Sequence, residues 1–301
     1  MKEILTSASI LEAMSIMDEV QSLTLKVQGS DMLLSVEDLQ QALLAGVSPR
    51  EPVASVIGRS WNVWMPTGEA YDLPVVIMAG GEGTRLRPMT LTTPKPLIPI
   101  GDTTLVEMCM KTFYDAGCRK FFVSLNYKAD QIERFLSPRA GDRDFVFYRE
   151  EKPLGSGGSL SLVKDRISNT FIVASCDIVL RQDFRRVIDY HRHSGNVATI
   201  VSAFKRYKLT YGNLLTDDHQ RLTAMEEKPE YCFRTNTAVY IFEPSLLSEV
   251  PDNTYYPITC LIDKVIKRGG RVGCFPITYG SWRDVGTWED YEFMKAGGLC
   301  S

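Results

Sequence analysis

The first pattern of hydrophobic and polar positions along the chain has the period of a helix. Apolar residues three or four positions apart predict a helix near residues 10–20, with one face formed by Ile10, Leu11, Met14, Met17 and Val20. Residues 23–34 predict two short strands around the turn Gly29-Ser30-Asp31. Ser35, followed by acidic residues, predicts the start of a second helix that ends near Gly46. We therefore expect a small α+β module in residues 1–64.

From Pro74 onward, short apolar runs typical of buried strands alternate with amphipathic stretches. Strands are predicted at residues 75–78, 121–125, 145–148, 171–174, 197–203 and 237–242. Helices are predicted at residues 105–116, ending before Gly117, and at residues 129–136. This alternation predicts an α/β domain with a doubly wound, largely parallel, Rossmann-like sheet. We place this domain at residues 74–301, after a linker at residues 65–73, and expect ligands beyond the carboxyl ends of its strands.

Composition excludes several classes of function. The chain of 301 residues is 44% hydrophobic, which is enough for a large core. Its formal net charge of -3 gives no reason to expect nucleic acid or an anionic membrane as a partner. Seven cysteines without a C-x-x-C pair indicate reduced thiols. Residues 1–10 lack the pattern of a signal peptide, and no apolar run approaches the roughly 20 residues of a spanning helix. We therefore expect a cytoplasmic protein.

The strongest chemical signal follows the strand at residues 75–78. Glycines there allow the backbone to approach a triphosphate closely and to turn its N–H groups toward the phosphate oxygens. The candidate nucleotide-binding residues of this segment are Ala79, Gly80, Gly81, Gly83, Thr84 and Arg85. Arg85 has the forked geometry that matches phosphate, and Lys95, held between two prolines, adds a second cation. The segment therefore indicates a binding site for phosphate groups.

Other interpretations of this segment fit less well. The G-x-x-x-x-G-K-[ST] order of a P-loop is absent, and no G-x-G-x-x-G opens directly into a helix, as a dinucleotide-binding fold requires. A tight turn between a strand and a helix, with charges on its surface, leaves Arg85, Lys95 and both flanking prolines unexplained.

The same segment resembles the signature of the sugar-1-phosphate nucleotidylyltransferase family, G-G-x-G-T-R-L-x-P-x-T followed by P-K-P-L-x-P-I. The resemblance extends over about residues 75–295. It implies transfer of a nucleoside monophosphate from an NTP to a sugar 1-phosphate, with Mg²⁺ as cofactor and release of pyrophosphate. The product of such a reaction is a nucleotide-sugar for glycan biosynthesis.

A second loop, residues 150–158, resembles the family's E-x-x-P-L-G-T-A-G segment, which packs against the nucleotide base. The implied nucleotide-binding residues are Glu150, Gly155 and Ser156. Several relatives that use pyrimidines or adenine have glutamine in place of Glu150. A carboxylate only accepts hydrogen bonds, and guanine offers two adjacent donors, so GTP is favoured, although uracil and thymine each present one ring donor. The alternative is a glycine-rich surface loop with solvated charges.

Two aspartates match the metal-binding motifs of the family. Asp177 follows the strand at residues 171–174, and Asp284 lies in a W-x-D-x-G motif. Magnesium prefers few protein carboxylates together with waters and phosphate oxygens, which suits such a pair. Cys176 stands where the family usually has glycine, and we expect it to narrow the site without acting as a nucleophile.

The motifs with which relatives bind the sugar phosphate are matched as well. Segments similar to Y-G, E-K-P and N-T-G imply the substrate-binding residues Tyr211, Gly212, Glu227, Lys228 and Asn236. Ala238 replaces a glycine of the last motif, so a tighter sugar pocket is expected. His191 and His193, near a predicted helix end, are interpreted as surface histidines.

The resemblance implies a reaction by in-line displacement at the α-phosphorus. A sugar phosphate is already ionised at neutral pH, so catalysis reduces to positioning and to neutralisation of charge. The side chains implied in this role are Arg85, Lys95, Asp177, Lys228 and Asp284.

Residues 33–47 resemble the second half of a CBS motif, in which Ser35 and Asp38 occupy the positions that hold a ribose. Some nucleotidylyltransferases carry a paired CBS module, including enzymes that form GDP-activated amino sugars. This chain has room for one such motif, so we expect an exposed apolar face through which two chains form a homo-oligomer. A dimerisation arm that binds no nucleotide is the simpler interpretation.

Two functions of other classes remain open from the sequence. One is a non-catalytic regulatory subunit that binds nucleotide-sugars on the same fold, an interpretation to which Cys176 and Ala238 would point. The other is an NAD-dependent oxidoreductase, which lacks support because the dinucleotide fingerprint is missing.

Overall fold

A computed structural model describes residues 2–61 and 71–299 of the chain. The predicted linker at residues 65–73 therefore lies mostly outside the described residues. None of the described helices is long and apolar enough to span a bilayer. The predicted boundaries at residues 64 and 74 stay predictions.

The N-terminal segment, residues 2–61, is a three-stranded sheet flanked by two helices. Its elements are β1 (Glu3–Ile4), α1 (Ile10–Glu19), β2 (Thr24–Val27), β3 (Leu33–Ser35) and α2 (Val36–Leu44). β2 is central, parallel to β1 and antiparallel to β3. Both helices begin with a capping box, from Ser9 to Glu12 and from Ser35 to Asp38. The two predicted helices and the predicted pair of strands are thus confirmed.

The rest of the chain, residues 71–299, largely alternates strands and helices as predicted up to residue 194, and four strands then follow one another without a helix between them. Its strands are β4 (Val75–Ala79), β5 (Pro99–Ile100), β6 (Thr103–Thr104), β7 (Lys120–Leu125), β8 (Asp144–Arg149), β9 (Phe171–Ser175), β10 (Ile178–Leu180), β11 (Ala198–Lys208), β12 (Asn213–Thr216), β13 (Leu222–Glu226), β14 (Glu230–Phe242), β15 (Val272–Thr278) and β16 (Trp282–Asp284). Its helices are α3 (Met89–Thr92), α4 (Leu105–Ala116), α5 (Ala129–Leu136), α6 (Gly155–Gly158), α7 (Phe184–Ser194), α8 (Ile258–Lys267) and α9 (Trp288–Lys295).

Seven of these strands form the central sheet, in the order β15-β11-β14-β9-β4-β7-β8. β9, β4, β7 and β8 are mutually parallel, and β11 is parallel to β15. β14 runs antiparallel to both of its neighbours, β11 and β9. The sheet is therefore mostly parallel, with one reversed strand that the hydrophobic pattern could not reveal because alternation carries no direction.

Apolar side chains fill both faces of this sheet. One face packs against α4, α5 and α7 through residues such as Phe113, Ile132 and Phe184. The other face packs against α8 and the segment around Leu160. Helices on both faces make the sheet doubly wound, as expected, and leave the strand ends as the accessible edge.

One histidine differs from its prediction. His193 is exposed, but His191 is only 2% exposed and its ring contacts the Thr199 hydroxyl at 2.8 Å and Glu243 at 2.9 Å. Burial lowers the pKa of His191, more than Glu243 raises it. His191 is thus a buried hydrogen-bonding residue of α7, which the polar sequence around it did not indicate.

Candidate active site

The glycine loop, residues 80–83, begins where β4 ends at Ala79. Gly83 has φ 64°, in the left-handed region that favours glycine. A Cβ on Gly83 would lie 2.9 Å from Thr90 Cγ2 and 3.0 Å from Lys95 Cβ. The Thr90 hydroxyl donates a hydrogen bond to the Gly83 carbonyl at 3.0 Å. The loop is therefore closed onto Lys95 and has no room for a side chain at this position.

Gly83→Ala is expected to disturb both the loop and Lys95. The left-handed backbone costs roughly 1–2 kcal/mol for an L-residue, and the methyl group must displace Thr90 or Lys95. We expect a loss of at least about 1 kcal/mol in the free energy of unfolding, measured by urea titration, and weaker NTP binding, measured by calorimetry. Gly81→Ala is the matched control, because no atom of residues 2–61 or 71–299 lies within 4 Å of a Cβ there. Equal effects of the two substitutions would contradict this account.

Lys95, Asp177 and Asp284 meet just beyond the carboxyl end of β9, the edge of the sheet at which the sequence predicts ligands. The Lys95 ammonium donates a hydrogen bond to Asp177 Oδ2 and lies 3.9 Å from Asp284 Oδ1. The Ser175 hydroxyl donates to the other Asp177 oxygen. The Lys95 side chain is only 10% exposed, so its charge is neutralised by these carboxylates rather than by water.

The two aspartates are brought together by a short antiparallel ribbon of β10 and β16. Ile178 pairs with Asp284, and the Val285 amide donates to the Asp177 carbonyl at 3.0 Å. Asp177 and Asp284 are more than 100 residues apart in the sequence. In the ribbon, Asp284 lies opposite Ile178, the residue that follows Asp177.

Asp284 has a strongly perturbed environment. Burial, followed by repulsion from Asp177, raises its pKa from the ordinary 3.8 to about 6, while Lys95 and Arg85 act in the opposite direction. Its Oδ1 atom is buried and accepts no hydrogen bond from the described residues, since 3.9 Å to Lys95 is too long. A buried carboxylate oxygen without a hydrogen bond, next to a second carboxylate, fits a site for a small divalent cation.

The described residues contain no group of three or more His, Cys, Asp or Glu side chains that could hold a metal. A pair of carboxylates still suits Mg²⁺, which keeps waters and phosphate oxygens in its coordination shell. Lys95 now provides positive charge between the same oxygens. Asp177 and Asp284 are therefore the residues that would hold a metal.

Arg85 completes what we call the charged cluster, which consists of Arg85, Lys95, Asp177 and Asp284. A Cβ on Gly286 would lie 2.7 Å from the Arg85 guanidinium, so the absent side chain makes the space that Arg85 occupies. The glycine loop and the W-x-D-x-G motif are thus in contact through Arg85 and Gly286.

Glu150 follows β8 and faces the glycine loop. The Ser124 hydroxyl donates to its Oε1 at 2.8 Å, and the Leu154 amide donates to its Oε2 at 2.9 Å. A Cβ on Gly80 would lie 2.9 Å from Glu150 Oε1. The carboxylate is therefore oriented by two donors and retains lone pairs for a further donor.

The Gly155-Ser156 turn is fixed by the chain just before α8. A Cβ on Gly155, at φ 74°, would lie 3.1 Å from the Tyr255 ring. The Ser156 hydroxyl accepts a hydrogen bond from the Ile258 amide at 3.1 Å. Ser156 thus has a structural partner, and its predicted contact with a nucleotide stays a prediction.

Four of the five predicted sugar-phosphate residues lie on what we call the arm, residues 207–233, which contains β12 and β13. Lys228 is 3.8 Å from Glu227, and a Cβ on Gly212 would lie 3.2 Å from Glu227 Oε2. Tyr211 is 82% exposed. These four residues form one group, and among the described contacts none joins them to Asp177 or Asp284.

Asn236 lies at the base of the arm, on β14. Its amide donates to the Tyr240 hydroxyl at 2.8 Å, and its oxygen accepts from the Ala238 amide at 2.9 Å. Ala238 has φ 59°, a conformation that favours the glycine expected at this position. The Trp282 indole donates to the Thr237 carbonyl at 3.2 Å, so this segment adjoins the ribbon that carries Asp284.

Cys176 does not line the site. It is 6% exposed and belongs to the core beneath the sheet, together with Cys109. Burial raises the pKa of the Cys176 thiol far above its usual range, so the thiol stays protonated. The expected narrowing of the site is wrong, because the side chain points into the core, while the expectation that Cys176 is no nucleophile agrees with its burial.

Sequence reasoning missed three residues that orient the site: Ser124, Asn126 and Ser175. The Asn126 side chain donates to the Glu150 carbonyl at 2.9 Å. All three lie at or just after the carboxyl ends of β7 and β9. The rule that ligands bind at that edge could have pointed to them.

Comparison with known proteins agrees with this arrangement. Residues 74–296 match the sequence model of a family described as nucleotidyl transferase. The chain is 34% identical over 182 residues to the mannose-1-phosphate guanylyltransferase catalytic subunit beta of Drosophila pseudoobscura pseudoobscura, which covers 58% of this chain and 49% of that protein. It is 30% identical over 241 residues to the UTP–glucose-1-phosphate uridylyltransferase of a Synechocystis species, which covers 73% of this chain and 61% of that protein. The chain thus spans half to three fifths of the length of these curated relatives.

A solved structure has the same fold. HddC from Yersinia pseudotuberculosis superposes with a TM-score of 0.58 and 26% sequence identity, covering 74% of this chain and 98% of HddC. The structure of HddC complexed with GMP-PN matches with the same TM-score and 25% identity.

Proposed function

We propose that this chain, which belongs to the nucleotidyl transferase family, transfers a nucleoside monophosphate from GTP to a sugar 1-phosphate and releases pyrophosphate. The observation that carries the proposal is the charged cluster. Two cations and two carboxylates, one of them with an oxygen that lacks a hydrogen bond, meet beside a glycine loop. Such an arrangement of charges suits phosphoryl transfer, which is catalysed largely by neutralising charge.

Each side chain of the site has a defined task in this proposal. Glycine-loop amides and Arg85 hold the β- and γ-phosphates and neutralise the charge that develops on pyrophosphate. Lys95 moves from the carboxylates to the phosphates when NTP binds. Mg²⁺, held by Asp177 and Asp284, would supply Lewis-acid stabilisation of the α-phosphate charge. Lys228 on the arm would hold the attacking sugar phosphate, with Tyr211, Gly212, Glu227 and Asn236 around the sugar.

The preference for GTP rests on Glu150. Its carboxylate is held by Ser124 and the Leu154 amide and faces the loop that would hold the triphosphate. A fixed acceptor can receive both adjacent donors of guanine, N1–H and the exocyclic amine. The name of the Drosophila relative, a guanylyltransferase, and the GMP-PN complex of HddC support the same base. The uridylyltransferase relative is the competing case.

The proposal is tested by product analysis. Purified protein with Mg²⁺ and GTP is incubated with mannose 1-phosphate and with other hexose and amino-sugar 1-phosphates, and nucleotide-sugars are detected by mass spectrometry. We expect a GDP-sugar from at least one acceptor. A chain that binds GTP but forms no nucleotide-sugar from any acceptor would instead support the regulatory-subunit alternative.

Glu150→Gln is expected to weaken the preference for guanine. Glutamine can keep the Leu154 amide and the Ser124 hydroxyl as partners, so the loop should keep its shape. A hydrogen bond to a charged group contributes about 1.5–3 kcal/mol, so kcat/KM for GTP relative to UTP should fall roughly 10- to 100-fold. The adjacent, exposed Glu151→Gln is the matched control. An unchanged GTP/UTP ratio in Glu150→Gln would refute the role of Glu150.

We also propose that the N-terminal segment is a single CBS-like module, as residues 33–47 suggest by their resemblance to half of a CBS motif. The Ser35 hydroxyl donates a hydrogen bond to the Asp38 carboxylate at 2.7 Å in a helix cap. Because the two side chains bind each other, this contact favours a module without a bound nucleotide. Its exposed apolar residues Leu5, Leu23 and Leu33 would lie at the contact between two chains of a homo-oligomer. A cytoplasmic location remains part of the proposal, because the chemistry uses cellular NTP.

A non-catalytic subunit is the weaker candidate. All five charged residues assigned to catalysis are present, and Lys95 lies within ion-pair distance of both Asp177 and Asp284. Cys176, one of the two residues that pointed to a degenerate site, lies in the core and leaves the site intact.

A further inference from the structure

The N-terminal segment contacts the turn that leads into β16. This turn, Tyr279–Ser281, connects β15 to the strand that carries Asp284. The residue that makes this contact is Asp18, near the end of α1. The Asp18 carboxylate lies against Gly280 of this turn, and Thr278, Gly280 and Tyr279 each act to lower its pKa.

The contact is closely fitted. A Cβ on Gly280 would lie 2.5 Å from Asp18 Oδ1, so only glycine leaves room for the carboxylate. The Thr278 and Ser281 hydroxyls lie 2.7 Å apart within the same turn. Burial raises the pKa of Asp18 more than Thr278, Gly280 and Tyr279 lower it. A half-buried carboxylate is thus packed closely against one turn.

The second helix of the segment holds the partner strand. Gln40 of α2 is buried and donates to the Pro276 carbonyl at 3.0 Å and to Gln182 Oε1 at 2.9 Å. Gln182 lies just after β10, the strand paired with β16. The Arg181 amide donates to the Ser281 carbonyl at 2.8 Å. This hydrogen bond joins the turn that Asp18 contacts to the segment after β10 that Gln40 contacts.

One end of the β10–β16 ribbon is therefore fixed by the N-terminal segment, and the other end carries both aspartates of the charged cluster. From Trp282 to Asp284 the extended chain covers about 7 Å, at roughly 3.3 Å per residue. A shift of the turn moves β16 along β10, and with it Asp284 relative to Asp177.

We propose that Asp18 is a positioning residue which, through the turn Tyr279–Ser281, sets the spacing of Asp177 and Asp284 and thereby the affinity of the site for its divalent cation. The inference rests on the metal assignment in the proposed function. It gives the N-terminal segment a role in the transfer reaction. Coupling of this kind is reciprocal, so metal binding must in turn stabilise the docked segment.

The test uses Mn²⁺ alone as the probe, with electron paramagnetic resonance to measure its dissociation constant in the full chain. Asp18→Ala removes the carboxylate that contacts the turn. Glu19→Ala is the matched control, because it makes the same change of charge on the same helix at an exposed position. Groups that orient metal ligands typically contribute 10- to 100-fold in metal affinity. We expect Asp18→Ala to weaken Mn²⁺ binding about 10-fold and to speed hydrogen exchange in residues 278–285, with Glu19→Ala unchanged.

Gly280→Ala provides a second variant that displaces Asp18 without a change of charge, and it decides the question if Asp18→Ala does not fold. A folded variant with wild-type Mn²⁺ affinity and wild-type exchange at residues 278–285 would overturn the inference and leave the proposed function standing. A wild-type chain that binds no Mn²⁺ would instead overturn the metal assignment, and the inference with it.

Discussion

Asp284→Asn is expected to lower kcat on the order of 100- to 1000-fold, the usual consequence of removing one electrostatic group from an active site. The substitution keeps the shape of the side chain but removes the negative charge beside Asp177 and Lys95. Turnover is measured as pyrophosphate release with saturating NTP and sugar phosphate. Asp115→Asn, at an exposed ion pair with Lys111, is the matched control and should retain full activity.

The same variant should not be destabilised. Burial and Asp177 raise the pKa of Asp284, which means that the folded state disfavours its charge. An amide removes that unfavourable charge, so Tm should stay equal or rise, as is common when an active-site group is removed. Added Mg²⁺ should raise the Tm of the wild type but not of the variant, because a ligand stabilises only the state that binds it. Wild-type turnover, or a wild-type metal response, in Asp284→Asn would contradict the metal assignment.

Lys95→Met is the second substitution with a large expected effect, and it acts on both stability and rate. Lys95 is buried between two carboxylates, and its removal leaves them uncompensated. Breaking a buried ion pair from one side costs about 3–5 kcal/mol. We expect a loss of roughly 3 kcal/mol in the free energy of unfolding in the absence of metal, measured by urea titration.

Activity and metal response separate this effect from simple misfolding. Mg²⁺ should restore part of the lost stability of Lys95→Met, since a cation between Asp177 and Asp284 replaces the missing ammonium. Turnover should remain about 100- to 1000-fold below wild type even at saturating Mg²⁺, because the charge on the departing pyrophosphate is still uncompensated. The exposed Lys111→Met is the control. Full activity of Lys95→Met would show that Lys95 has no role in transfer.

Much of the charged cluster could be predicted because its residues lie next to recognisable strands. Lys95 follows the glycine loop after β4, and Asp177 follows β9. The carboxyl ends of neighbouring parallel strands share one edge of the sheet, where a ligand site was expected, and the match to the family's metal motif singled out Asp177 at that edge. Asp284 needed the motif resemblance, since its strand has only three residues.

The arm could not be predicted from hydrophobic alternation. Nearly all residues of β12 and β13 are exposed on both faces, so no buried side alternates with a polar side. The contact of Asp18 with Gly280 could not be predicted either, because the two residues are 262 positions apart in the sequence. A single acidic residue near the end of an amphipathic helix has the pattern of a solvent-facing position. Only the tertiary structure shows that the Asp18 carboxylate lies against the turn at Gly280.

The central claim is that the charged cluster performs metal-dependent nucleotidyl transfer. The most direct measurement is the rate of pyrophosphate release with Mg²⁺ from each common NTP and a panel of sugar 1-phosphates, by wild type and by Asp284→Asn purified side by side. The account predicts release with GTP and one sugar phosphate, abolished by EDTA and reduced on the order of 100-fold or more in the variant. Release that is equal in the two proteins, or that survives EDTA, would contradict it.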